Sequence, residues 1–102
     1  MKSKNYVYLI RCPKDKAVIY VGQTCNPKSR FSFHKCGIGK TPIAKYMKEL
    51  RDCGLIPIFE IIQEFPMSVR GLILTNKSER ENIFKYYNDK SARILNRYMK
   101  NG

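Results

Sequence analysis

At 102 residues the chain has room for one domain with one hydrophobic core, and little for a second module. A hydrophobic share of 43% excludes wholesale disorder, and no apolar run reaches the length of a membrane span. Lys plus Arg number 20 against 8 acidic residues, a net charge of +12 spread along the whole chain, which points to a polyanionic partner.

Met1-Lys2-Ser3-Lys4 is basic, but the apolar run at 6–10 is too short for a signal-peptide core and Arg11 ends it. The expectation is a single domain over residues 1–102 working in the cytoplasm. Residues 6–11 are rich in aromatic and aliphatic side chains and predict a strand. Pro13-Lys14-Asp15-Lys16 is a polar turn and 17–21 a second apolar strand. Together they predict an antiparallel hairpin that brings Tyr8 and Tyr20 into neighbouring strands. Asn26 is a good helix N-cap and Pro27 suits the first helical position, so a helix is predicted to about Lys35, stopping by Gly37. The same cap-then-proline signature recurs at Thr41-Pro42. The helix after it should reach about Asp52, before Gly54. Ile43, Tyr46, Met47 and Leu50 follow the i, i+3, i+4, i+7 pattern of a core face, leaving Lys45 and Lys48 toward solvent or a ligand.

Residues 56–65 predict a third strand, in which Ile58, Glu60, Ile62 and Glu64 alternate with Phe59, Ile61, Gln63 and Phe65. Pro66 closes it. Residues 69–74 are apolar and read as a short helix or an irregular cover. Ser78-Glu79-Arg80-Glu81 has the form of a capping box, predicting a helix onward through Ile83, Phe84 and Tyr87 to near Lys90. Ile94-Leu95-Asn96 is a short apolar tail expected to return to the core. The predicted fold class is α+β, a small three-stranded, mainly antiparallel sheet flanked by about three helices.

The four cysteines, Cys12, Cys25, Cys36 and Cys53, lack the close-paired spacing of a zinc site, and disulfides would be out of place in a reducing compartment. Four reduced, mostly packed thiols are expected. Arg30 and His34 lie one turn apart on a helix face. A guanidinium matches a phosphate, and an imidazole can donate to one or move a proton near neutral pH. Alone, the two read better as a solvated basic face. Tyr8 and Tyr20 read equally as core rings or as phenols that hold or deprotonate a water. Gly22 permits a sharp turn or a close approach to a ligand. Glu81 is the best candidate for holding Mg²⁺ (or Mn²⁺), since one carboxylate with phosphate and waters suffices. It serves equally as the third residue of the capping box, with Glu79 exposed. Asn96 can fix a tyrosine hydroxyl or a phosphate, or sit at the surface.

The order Tyr6-Val7-Tyr8, Tyr20-Val21-Gly22, Arg30, His34, Glu81 and Asn96 resembles the GIY-YIG nuclease family over nearly the whole chain. It is most similar to the compact domains of homing endonucleases and of related phage or bacterial nucleases. For a phage-encoded chain the compartment would be the host cytoplasm. The resemblance implies a three-stranded antiparallel sheet flanked by helices and metal-dependent hydrolysis of DNA phosphodiesters. By position, Tyr8 matches the tyrosine ending the first motif, Tyr20 the one opening the second, and Gly22 the second motif's glycine. Arg30 and His34 match the basic pair of the first helix, Glu81 the metal-binding glutamate and Asn96 the late asparagine. Two departures stand out. Tyr6 and Val7 replace the first motif's usual glycine and isoleucine, and Val21 replaces the isoleucine of the second. Some members carry another histidine between the first two helices, where this chain has Lys40 nearest.

The mechanism this resemblance implies is a one-metal, in-line attack by water. Glu81 holds the metal, Arg30 stabilises the transition-state charge, and Tyr8, with His34 as rival, orients or deprotonates the water beside Tyr20. Tyr6 and Gly22 line the substrate, while Lys28, Lys35, Lys40, Lys45 and Lys48 grip the DNA backbone without specificity. With no residues left for a recognition domain, the expectation is a lightly specific nuclease, a homodimer that builds its specificity by symmetry, or a subunit steered by a partner protein. The competing expectations are an inactive DNA- or RNA-binding module of the same fold, and a basic structural protein.

Overall fold

The computed structural model describes residues 4–36 and 41–89. Lys40, Asn96 and the predicted tail around Ile94 lie outside the described residues. The elements run β1 (Lys4–Arg11), β2 (Val18–Thr24), α1 (Pro27–Cys36), α2 (Pro42–Asp52), β3 (Ile58–Pro66) and α3 (Val69–Tyr87). The sheet order is β2-β1-β3 with both pairings antiparallel, so the α+β architecture is the predicted one.

The central place of β1 explains its unbroken apolar run. Val7, Tyr8, Leu9 and Ile10 are fully buried, because a central strand covered on both faces has no solvent side. Period-two alternation then sorts the two cores. Tyr8, Ile10 and Cys12 join Ile19 and the inner face of α2, Ile43, Met47 and Leu50. Val7 and Leu9 join Val18, Val21 and Ile83 of α3 on the other face.

Local chemistry sets the helix starts. Thr41 Oγ1 accepts from the backbone N–H of Ala44 ahead of Pro42, and Asn26 Oδ1 accepts from that of Ser29 ahead of Pro27, as the cap-then-proline pattern predicts. The left-handed Gly54 (φ 75°) follows the end of α2.

Three details depart from expectation. First, α3 is one helix of 19 residues that takes in 69–74 and begins after Ser68, whose Oγ accepts from Gly71 N–H. Ser78 is therefore not a cap. It lies buried in mid-helix, with its hydroxyl hydrogen-bonded to Gln63 of β3. The capping-box pattern was present, but a better cap ten residues earlier captured the helix start.

Second, β3 does not keep a strict alternation. Val7 pairs with Gln63 and Tyr8 with Ile61, so a bulge at Ile62 shifts the phase. Phe59 packs toward the α2 side while Ile62 and Phe65 both pack toward α3. Glu60 and Glu64 are engaged by Arg11 (2.9 Å) and Lys4 (3.0 Å) across the strand pair. Third, only Cys12 of the four free thiols is buried, and Cys25, Cys36 and Cys53 are exposed. No helix among the described residues is long and apolar enough to cross a membrane.

Candidate active site

The first two strands and α1 bring the tyrosines, arginine and histidine together. Tyr8 lies opposite Gly22 in the β1–β2 ladder, and Tyr20 lies opposite Ile10, so both rings fall diagonally on the same face. Gly22 is a spatial requirement. A Cβ there would sit 2.5 Å from Cζ and from the hydroxyl oxygen of Tyr8, and 2.9 Å from Cε2 of Tyr20. The two rings lie tilted with centroids 6.3 Å apart.

From α1, His34 enters this pair. Its Nε2 is hydrogen-bonded to the Tyr8 hydroxyl at 2.8 Å, and its ring meets Tyr20 edge-on at 5.2 Å between centroids. His34 is the only buried residue of a helix whose other side chains are largely exposed. Phe31 props the arrangement from below, edge-on to Tyr8 at 5.3 Å and stacked on Phe59 of β3 at 4.3 Å. Arg30 is exposed at the mouth, where its charge and a hydrogen bond act on Tyr8.

The carboxylate that the structure brings beside the tyrosines is Glu79, while Glu81 lies away from them. Gln23, directly after Gly22, donates its side-chain amide to Glu79 Oε1 at 3.0 Å and also to Asn76 Oδ1. The Glu79 charge reaches both phenols. Glu81 is exposed and lines a separate cavity of about 420 Å³ with Ile62, Gln63, Asn82, Lys85 and Tyr86. The reason is helical geometry: two residues differ by about 200° around a helix, so only one of Glu79 and Glu81 can face the tyrosines. The signal was present in the sequence. Reading α3 from Ser68, the positions Gly71, Thr75, Ser78 and Ile83 form the buried stripe, and Glu79 lies one turn from both Thr75 and Ile83 and so on that face.

Burial pushes the Tyr8 hydroxyl well above its ordinary value of 10; the charges of Tyr20 and Glu79 add to this and Arg30 opposes it. Tyr20 is raised by burial first and by Glu79 second, again against Arg30. His34 is pushed down to about 4 by burial, with the Arg30 charge adding. At neutral pH the two phenols and the imidazole are therefore neutral, beside Arg30 and Glu79.

Among the described residues no group of three or more His, Cys, Asp or Glu converges, so a closed cage of protein ligands is not formed. A half-buried carboxylate, held on one oxygen by a neutral amide and facing two phenols, still offers an all-oxygen setting suited to a hard divalent cation that keeps waters and takes phosphate. Of the other predicted residues, Tyr6 is half-buried on the Tyr8 face of β1, and Lys28, Lys35, Lys45 and Lys48 are exposed on α1 and α2.

No curated protein and no solved structure matches the chain significantly. Residues 4–85, which include Tyr6, both tyrosines of the pocket, Arg30, His34, Glu79 and Glu81, match the GIY-YIG catalytic domain. With that match over most of its length and the two tyrosine motifs paired around Gly22, the chain belongs to the GIY-YIG family of nucleases.

Proposed function

We propose that the chain is a metal-dependent endonuclease that hydrolyses DNA phosphodiester bonds in the pocket between Tyr8, Tyr20, Arg30, His34 and Glu79. The observation that carries this reading is the contact of Tyr8 with His34 at 2.8 Å, under opposite charges from Arg30 and Glu79. Such a setting holds a phosphate on one side and a cation on the other.

Arg30, exposed at the mouth, seats the scissile phosphate and offsets the charge that grows on it during attack. Tyr8 orients the attacking water. With Nε2 unprotonated, Tyr8 passes its own proton to His34 as its oxygen accepts one from the water, so neither a phenolate nor an imidazolium need exist beforehand. A phosphate in front of Arg30 offsets the guanidinium charge that depresses His34 and so makes the imidazole a better acceptor. Tyr20 hydrogen-bonds the same water or a phosphate oxygen. Glu79, steadied by Gln23, would hold Mg²⁺ or Mn²⁺. When bound, the cation supplies Lewis-acid stabilisation of the leaving oxygen. Lys28, Lys35, Lys45 and Lys48 add contacts to the DNA backbone.

The test is incubation of supercoiled plasmid with the protein, with and without Mg²⁺, alongside Glu79→Ala and Glu81→Ala. Nicking that needs metal, is lost in Glu79→Ala and persists in Glu81→Ala is the expected result. Loss in Glu81→Ala alone would overturn the carboxylate assignment. Retardation without nicking under every condition would instead support the inactive binding module, with Tyr6 marking the altered first motif.

A further inference from the structure

α1 carries two aromatic residues with opposite fates. Phe31 is accounted for by packing against Tyr8 and Phe59. Phe33 is not: it is 55% exposed, although its ring approaches His34 edge-on with centroids 6.0 Å apart. Its exposed neighbours on α1 are Lys28, Ser29, Arg30, Ser32 and Lys35, so a large apolar ring stands alone on a basic, polar surface. Phe33 is three residues beyond Arg30 and therefore on the same side of the helix. Among the described residues, Ser29, Arg30 and Phe33 line one open cavity of about 320 Å³ beside the pocket.

A flat apolar ring next to a guanidinium and a hydroxyl matches what a nucleotide presents, a base with a π-face joined to a phosphate. We propose that Phe33 stacks on an unpaired base of the nucleotide next to the phosphate held by Arg30. The preferred substrate is then DNA whose base at the cleavage point is already outside the helix, as in a bulge, a flap or a branch. In uninterrupted duplex both faces of each base are covered by its neighbours, and extrusion must precede stacking at a cost of a few kcal/mol. An unpaired base avoids that step.

This inference rests on the pocket being a nuclease site, and it is tested by a measurement that needs no cleavage. In chelator, the full chain is titrated into two fluorescent duplexes, one carrying 2-aminopurine as a single-base bulge and the other carrying it paired. The expected result is quenching of the bulged probe and about tenfold tighter binding to it than to the paired duplex. Phe33→Ala should abolish both effects, while Phe33→Trp, which restores a stacking face, should keep them. Equal affinity for the two duplexes, or a preference unchanged in Phe33→Ala, would overturn the proposal even if plasmid cleavage is robust. Intact quenching and preference in a protein that cleaves nothing with any divalent metal would support the stacking role while removing the nuclease reading beneath it.

Discussion

The contact between His34 and Tyr8 predicts a specific dependence of stability on pH. Free histidine titrates near 6.5, whereas His34 in the folded chain titrates near 4, because burial first and the Arg30 charge second disfavour the imidazolium. Between those values the unfolded chain binds a proton at this position that the folded chain does not. Stability from His34 is therefore complete above pH 6.5 and falls as pH drops toward 4. From pH 7 to pH 5 the loss is about 2 kcal/mol, a large part of the stability of a small domain. Urea denaturation followed by circular dichroism at those two pH values should show the midpoint falling by about 1–2 M. His34→Gln keeps a polar group against Tyr8 and cannot titrate, so its midpoint should move far less. The difference between the two proteins isolates His34 from general charge repulsion in a chain of net charge +12. An equal fall in both, or a wild-type midpoint that does not move, would refute the buried neutral imidazole and with it the proton path through Tyr8.

Three further outcomes are expected. Gly22→Ala should lose nuclease activity and about 1–3 kcal/mol of stability, because the added methyl meets the rings of Tyr8 and Tyr20; a variant with unchanged activity would show that the rings yield freely. Gln23→Ala removes the amide that holds Glu79 Oε1, and should weaken the apparent affinity for Mn²⁺ by about tenfold or more in a metal titration, with DNA binding in chelator unchanged. Lys45→Glu combined with Lys48→Glu should weaken plasmid binding and flatten its dependence on salt, measured as the slope of affinity against salt concentration; an unchanged slope would remove α2 from the DNA surface.

The parts of the site legible in the sequence are those whose positions depend on short-range rules. The hairpin between residues 8 and 22 follows from alternation and a polar turn, and it alone sets Tyr8, Tyr20 and Gly22 in place. The Asn26-Pro27 start fixes the phase of α1, hence Arg30 at the mouth and His34 inward. The choice between Glu79 and Glu81 was not legible by the same means. It turns on where α3 begins, and the Ser78 pattern competes with the Ser68 cap that governs it. A misplaced start left the inward face of the helix undefined, and with it which of the two glutamates lies beside the tyrosines. The bulge at Ile62 was hidden for a related reason, since an unpaired residue leaves no mark in a run of alternating side chains.

The site draws its tyrosines, arginine and histidine from residues 8–34, but its carboxylate from α3 near the end of the described chain. During synthesis the early part emerges first, with the groups proposed to grip a phosphate and without Glu79. A nascent chain stopped before residue 79 should hold DNA and leave it intact. On the proposed mechanism cutting would wait for α3 to dock, so cleavage would report that this helix is in place.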